Sequence, residues 1–331
     1  MNIVGLDIGH SAVKVVASFD GKRTDFLFPS VVVKAFPISD EAESSRAARD
    51  LVRVGGQDWF TGETAAIQGG GDAVSGLSDN WIESIQHDAL FLSAVKRLEA
   101  RGFGITPSTM IVLGLPANLY AQQKDKLKVS CAQYVQAEYK VVPQPMGPYQ
   151  AMMLGPDGLP MKDRSMADES WGVVEVGHYT TDFMLSKNGR WIEKASGSCA
   201  GMRVAVDALQ RLMLADSINA DHLECQEILR TRKFNNFGRV IDATQYVRHA
   251  ARVLVDGVVD NAERLIAEHA RRLNGVIVAG GGADFIIETL QERWPHAIIA
   301  KDPRMAVAEG FCRLGLGISH ARKFQADSAA A

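Results

Sequence analysis

The sequence predicts an α/β protein built as two similar halves with a cleft between them. Two observations carry that expectation. Short β-rich runs alternate with helical patterns along the chain, and one hairpin pattern occurs twice. The first copy runs Ile3-Val4-Gly5-Leu6 into Asp7-Ile8-Gly9-His10-Ser11 and resumes as Ala12-Val13-Lys14-Val15-Val16. The second runs Gly172-Val173-Val174 into Glu175-Val176-Gly177-His178-Tyr179 and resumes as Thr180-Thr181-Asp182-Phe183-Met184. Acid, β-branched aliphatic, Gly, His thus recurs, and its two acids stand half a chain length apart in 331 residues. That length buries a sizeable core and suffices for two domains.

Val13, Val15 and Val16 favour a strand, and no Gly-Lys-Ser/Thr follows the first turn, so it reads as a hairpin and not as a phosphate loop opening a helix. Asp20-Gly21 turns the chain into a strand at 25–28, with another near 31–33. Residues 39–50 are polar and helix-compatible, 59–63 return to the sheet, and Gly69-Gly70-Gly71-Asp72 mark a surface excursion. Ile85, Ala89, Leu92, Val95 and Leu98 keep helical spacing until Gly102 and Gly104 end the run. A buried strand at 109–115, a polar helix at 120–134 and a short strand at 139–142 follow. Pro143, Pro145 and Pro148 read as a stiff, irregular connector that sets Gln144 at a strand end. Residues 155–169 read as the crossing between halves.

Beyond the second hairpin the pattern predicts a strand at 191–195, a Gly-bounded stretch at 197–201, and a helix presenting Val204, Ala208 and Leu212. A further helix includes 223–229. A long helix over 245–273 carries one stripe of Val247, Ala251, Leu254, Val258 and Leu265. Strand 276–279, the triplet Gly280-Gly281-Gly282, a helix at 283–293, a strand at 297–300 and a helix at 305–315 complete the chain. The Ala-rich end from Gln325 is expected to be disordered.

Composition narrows the function classes. Hydrophobic content of 47% with 23% charged residues is that of a soluble globular protein. A net charge of −3 gives no global pull towards nucleic acid. Four scattered cysteines without CxxC spacing argue for thiols in a reducing cytoplasm rather than a disulfide frame or zinc site. Neither a secretion signal nor a membrane span is predicted.

A turn whose backbone N–H groups converge can cradle phosphate oxygens, and Gly lets the phosphate approach closely. A carboxylate beside it can hold Mg²⁺ through water, because Mg²⁺ keeps much of its hydration shell. Two such turns would clamp a polyphosphate around a metal; the alternative is a pair of ordinary hairpins with solvated acids. Gly280, Gly281 and Gly282 either admit a flat ring or make a tight strand-to-helix turn. His10 and His178 either touch phosphate or donate local hydrogen bonds, and the local role is the commoner one. The basic stretch Arg230-Thr231-Arg232-Lys233 with Asn235, Asn236 and Arg239 reads as a solvated loop in preference to a DNA or partner contact.

With these motifs in order, the chain resembles the superfamily of actin, sugar kinases and chaperone ATPases, and within it the plasmid-segregation actins of the ParM/StbA type. The first phosphate segment resembles Asp7 to Lys14, the first connecting segment 143–151, and the second phosphate segment Glu175 to Asp182. Residues 276–284 resemble the adenosine segment and 306–314 the second connecting helix. The resemblance implies a two-lobed, ribonuclease H-like fold with the nucleotide between lobes. It places residues 1–165 in the first lobe, joined by a returning helix near 305–320, and 166–304 in the second, with 321–331 a flexible tail.

The implied activity is Mg²⁺-dependent ATP hydrolysis, with GTP the alternative nucleotide, coupled to a filament that moves plasmid DNA through a DNA-bound adaptor on a centromere-like site. No direct nucleic-acid or membrane contact is implied, and the location is cytoplasmic. Asp7 and Glu175 would hold Mg²⁺ through water, and Gln144 would orient the attacking water. Gly9, His10, Ser11, Lys14, Gly177, His178, Tyr179, Gly201, Gly280, Gly281 and Gly282 would line the nucleotide. Glu175 stands where the family usually has Asp, which moves the carboxylate by about 1.5 Å, and His10 and His178 replace smaller residues. A small-molecule kinase and a non-filamentous scaffold on the same fold remain alternatives.

Overall fold

The computed structural model describes residues 2–70 and 78–330, and in it the chain divides into two units, 1–169 with 300–331 and 170–299. Gly71 and Asp72 of the expected surface excursion lie outside the described residues. In the first unit the order is β1 (Ile3–Ile8), β2 (Ala12–Phe19), β3 (Lys22–Pro29), β4 (Val32–Lys34), α1 (Glu41–Asp50), β5 (Leu51–Val54), β6 (Gln57–Thr61), α2 (Gly62–Gln68), α3 (Ile85–Glu99), β7 (Met110–Leu115), α4 (Tyr120–Ala132), β8 (Glu138–Pro143) and α5 (Met146–Met153). The second unit holds β9 (Ser170–Val176), β10 (Thr180–Lys187), β11 (Arg190–Trp191), β12 (Gly197–Ala200), α6 (Arg203–Ala215), α7 (His222–Thr231), β13 (Lys233–Asn236), β14 (Arg239–Asp242), α8 (Thr244–Ala270), β15 (Gly275–Ala279), α9 (Ala283–Arg293) and β16 (Ala297–Ile299). Helix α10 (Ala306–Ala330) belongs to the first unit.

The internal repeat is a repeat of topology. The first sheet has strand order β3-β2-β1-β7-β8 and the second β11-β10-β9-β15-β16. In each, a hairpin pairs antiparallel, and the hairpin's first strand pairs parallel with the strand beyond it. β1 is buried at every position, as expected where both sheet faces are covered. One face packs Leu6, Val13, Val15 and Leu113 against Leu90, Phe91 and Ala94 of α3. The other packs Ile3, Val16 and Val112 against Val307, Ala308, Phe311 and Cys312 of α10. In the second unit Val174, Val176, Phe183, Val276 and Val278 form one core with α6, α8 and α9. The predicted stripe of α8 lies on its packed side: Val247, Ala251, Leu254 and Val258 are core, and Leu265 is partly buried against it.

Four expectations are corrected. The Pro-rich connector is not irregular: Pro143 ends β8, and Pro148 sits in the first turn of α5. First-turn N–H groups have no partner within the helix, so proline costs nothing there. The strand expected at 191–195 stops at Trp191 and gives way to a 3₁₀ turn, Glu193–Ala195. The Gly-bounded stretch after it, β12, takes over the edge of β10. The basic stretch from Arg230 to Arg239 is not a loop but the end of α7 followed by the hairpin β13–β14. The end from Gln325 is helical as far as it is described, its Gln and Ala being strong helix formers; one turn earlier, Arg322 binds Glu138 through both terminal guanidinium nitrogens at 2.8 and 2.7 Å. Among the described residues no helix is long and apolar enough to cross a membrane.

Candidate functional site

The predicted site residues form two clusters, one in each unit. In the first, Asp7 is 2% exposed near the end of β1, and the register of the hairpin sets Lys14 directly opposite it. Opposed residues share a sheet face, and Lys14 Nζ lies 2.9 Å from Asp7 Oδ2. Gln144 follows β8 by one residue; its backbone N–H continues the ladder to Leu115 O at 2.8 Å. Its side-chain Nε2 donates to Asp7 Oδ1 at 2.9 Å. Thus both carboxylate oxygens of Asp7 are engaged, one by a cation and one by an amide. The amide's other terminal atom, Oε1, is a hydrogen-bond acceptor.

Two residues that sequence reasoning missed hold the turn at Gly9, His10 and Ser11. Ser30, fully buried, donates its Oγ to Gly9 O at 2.5 Å and its backbone N–H to Ser11 O at 3.0 Å. Trp81 donates Nε1 to Ile8 O at 3.3 Å and stacks on His10 with ring centroids 5.0 Å apart. His10 therefore has an aromatic neighbour. Trp81 is braced in turn by His87 of α3, edge-on at 5.8 Å.

His87 is 3% exposed, and burial pushes its pKa down to about 4. An unfolded chain titrates this group near 6.5, so between pH 6.5 and 4 the unfolded state binds more protons. The contribution of neutral His87 is complete above pH 6.5 and is lost as the pH falls to about 4, up to about 3 kcal/mol in all. Urea unfolding at pH 7 and pH 4.5 should show that loss, and His87→Asn should show a smaller difference between the two pH values.

The second cluster is built on β9 and β10. Glu175, 5% exposed, faces Asp182 across the hairpin, in the register where the first unit pairs Asp7 with Lys14. The equivalent cross-strand pair is acid and base in one unit and acid and acid in the other. Asp182 is fully buried and accepts Thr180 Oγ1 at 2.7 Å and Ser198 Oγ at 2.5 Å. Neither Asp182 nor Ser198 was among the expected site residues, although counting the hairpin register out from Gly177 would have found Asp182.

The turn at Gly177, His178 and Tyr179 is closed from outside by the start of α6. Gly201, Met202 and Arg203 donate backbone N–H groups to Tyr179 O, Gly177 O and His178 O, each at 2.9 Å. A Cβ at Gly201 would stand 2.5 Å from Gly177 O, so only glycine permits this approach. Gly280 and Gly282 meet the same turn from β15. Gly282 N–H donates to Val176 O at 3.1 Å. Gly280 has φ +87°, and a Cβ there would lie 2.3 Å from Val176 O and 2.6 Å from Glu175 Oε1. The longer Glu175 side chain is accommodated because residue 280 is bare backbone. Gly281 is exposed, with nothing within 4 Å of the place a Cβ would take.

The donor set suits a hydrated divalent cation. Two buried carboxylates directly opposed on one sheet face repel each other, and a cation beside them removes that cost. Among the described residues no group of three or more His, Cys, Asp and Glu could hold a metal ion. A cation here would complete its shell with water or phosphate oxygens, as Mg²⁺ prefers.

Residues 5–147 match the family model of the N-terminal domain of actin-like proteins, and residues 173–292 that of the C-terminal domain of the archaeal MreB-like actin homologue. A 15-stranded ParM filament from Clostridium botulinum is 19% identical, covers 95% of this chain and 98% of its own, and superposes with a TM-score of 0.74. An archaeal actin homologue solved in complex with ADP is 20% identical over 95% of this chain and 99% of its own, with a TM-score of 0.71. A MamK double helical filament is 20% identical over 95% and 98%, with a TM-score of 0.70. No curated protein matches the sequence.

Proposed function

The chain belongs to the actin-like proteins, and from that premise we propose that it is a nucleotide-dependent, filament-forming ATPase that acts in the cytoplasm to segregate plasmid DNA through a DNA-bound adaptor. The observation that carries the catalytic part is the contact of Gln144 with Asp7, itself held by Lys14. It supplies a carboxylate, an ammonium and an amide in one place. Support for self-association comes from the fold, which the ParM and MamK filaments share.

In this reading the turns at Gly9 to Ser11 and Gly177 to Tyr179 bind the phosphates through backbone N–H groups. Gly281, exposed and with open space where a Cβ would stand, offers bare backbone to the adenosine, while Gly280, Gly282 and Gly201 pack against the second turn and fix it. Asp7 in the first unit, and Glu175 supported by Asp182 in the second, are the residues that would hold Mg²⁺ through water, and the bound cation would supply neutralisation of phosphate charge. Lys14 shares its ammonium between Asp7 and the phosphate oxygens. Gln144, anchored by its amide nitrogen on Asp7, uses its amide oxygen to accept a hydrogen bond from the attacking water and orient it. Catalysis is then positioning and charge neutralisation without a covalent intermediate. ATP is the proposed nucleotide, with GTP the competitor.

Light scattering and negative-stain microscopy with Mg-ATP, Mg-ADP and no nucleotide test the proposal. Filaments that form with Mg-ATP and disassemble as it is consumed are expected. Monomers under all three conditions, with ATP turnover stimulated by a sugar, would overturn it in favour of a kinase.

A further inference from the structure

The hairpin β13–β14 carries an unusual pair of features at its tip. Its register, Asn236 opposite Arg239, leaves a two-residue loop of Phe237 and Gly238. Both have positive φ, +46° and +81°, the backbone of a type I′ turn, in which Asn-Gly is the favoured sequence. A bulky side chain in the left-handed region is strained. Phe237 is also 101% exposed, and Val240 beside it is 68% exposed. The tip therefore accepts backbone strain to hold an aromatic ring wholly in water, two costs that no packing among the described residues offsets.

The base of this hairpin is fixed. Phe234 is buried in the second unit's core, its cross-strand partner Ile241 packs there too, and Ala243 N–H donates to Arg232 O at 2.8 Å. The tip is a mounted knob. Around it Arg232, Lys233 and Arg239 are exposed, whereas Arg230 is already paired with Glu227. The whole chain is nonetheless negative, at −3, so the rest of its surface is more acidic than the total shows.

We propose that the β13–β14 hairpin is a self-association knob, with Phe237 and Val240 buried against a second copy of this chain and the cations beside them facing its acidic side chains. Strain and exposure at 237 are then offset on assembly, when the ring leaves water. The cations at the base of the knob set its orientation against the acidic copy. The identity of the partner rests on the self-association reading above; the strain and exposure do not.

Two experiments test it. Phe237→Asn restores the favoured Asn-Gly turn, so the variant should unfold at the same or higher temperature while its critical concentration for sedimentable assembly rises at least tenfold. Assembly at the wild-type critical concentration would overturn the proposal, as would unchanged assembly with lost retention of duplex DNA, which would assign the knob to nucleic acid. In the second, a photo-crosslinking phenylalanine analogue at position 237 should give chain-to-chain adducts mapped by mass spectrometry. Adducts without nucleotide-dependent filaments would keep the knob and remove the filament reading. Filaments without adducts would do the reverse, and neither would overturn both.

Discussion

Asp7→Ala should abolish Mg²⁺-dependent turnover, lowering it by at least about 100-fold. The carboxylate has three tasks in the proposed site: it neutralises Lys14 at 2.9 Å, anchors Gln144 at 2.9 Å and holds the hydrated cation. Alanine removes all three and leaves a largely buried ammonium unpaired, which also lowers stability. Asp7→Asn separates these effects. It keeps an oxygen to accept from Gln144 and the same volume, so the fold should survive, but it has no charge for Lys14 or the cation. Turnover in Asp7→Asn should therefore fall as far as in Asp7→Ala, with a smaller drop in unfolding temperature. Wild-type Mg²⁺-dependent turnover in a folded Asp7→Asn protein would remove Asp7 from the site.

Signals that are local along the chain were legible before any coordinates. The two acid-bearing hairpins, the apolar run that opens β1 and the stripe of α8 are each set by neighbours a few residues apart, whose facing side-chain geometry enforces. What escaped notice depends on what comes near from elsewhere. Ser30 and Trp81 grip the first turn from 21 and 73 residues away, and no periodicity announces such a contact. Pro148 looked like a breaker because its tolerance depends on a position in the first helical turn that only the true boundary of α5 reveals. The hairpin β13–β14 lies in a run of charges and amides that by itself reads as a solvated loop, and its two-residue tip carries Phe where turn chemistry favours Asn. The doubled acid of the second unit lay in plain sight in the sequence, yet its meaning came from register, which places Asp182 opposite Glu175 as Lys14 is opposite Asp7.

Gly310→Ala should be the most damaging single methyl in the first unit. A Cβ at 310 would stand 1.7 Å from Gly147 O and 2.4 Å from Gly147 C, backbone atoms of α5 that no rotamer change can move. The seam is reciprocal, since a Cβ at Gly147 would lie 2.6 Å from Val307 Cα. Nor can α10 retreat freely, because Phe311 and Cys312 are fully buried against the sheet. Overpacking of a core costs about 1–3 kcal/mol, and backbone-on-backbone contact belongs at the top of that range. For a unit of this size about 3 kcal/mol lowers the unfolding midpoint by roughly 6–12 °C. Gly104→Ala is the control: nothing lies within 4 Å of its Cβ position, and loss of unfolded-state freedom should leave it neutral or slightly stabilising. An unchanged midpoint in Gly310→Ala would mean that α10 does not seat on α5. The same change should reach the chemistry, because α5 begins two residues after Gln144. Displacing that amide by about 1 Å from Asp7 can cost up to 100-fold in turnover. Turnover assayed well below the midpoint of Gly310→Ala should therefore fall while Gly104→Ala keeps the wild-type rate.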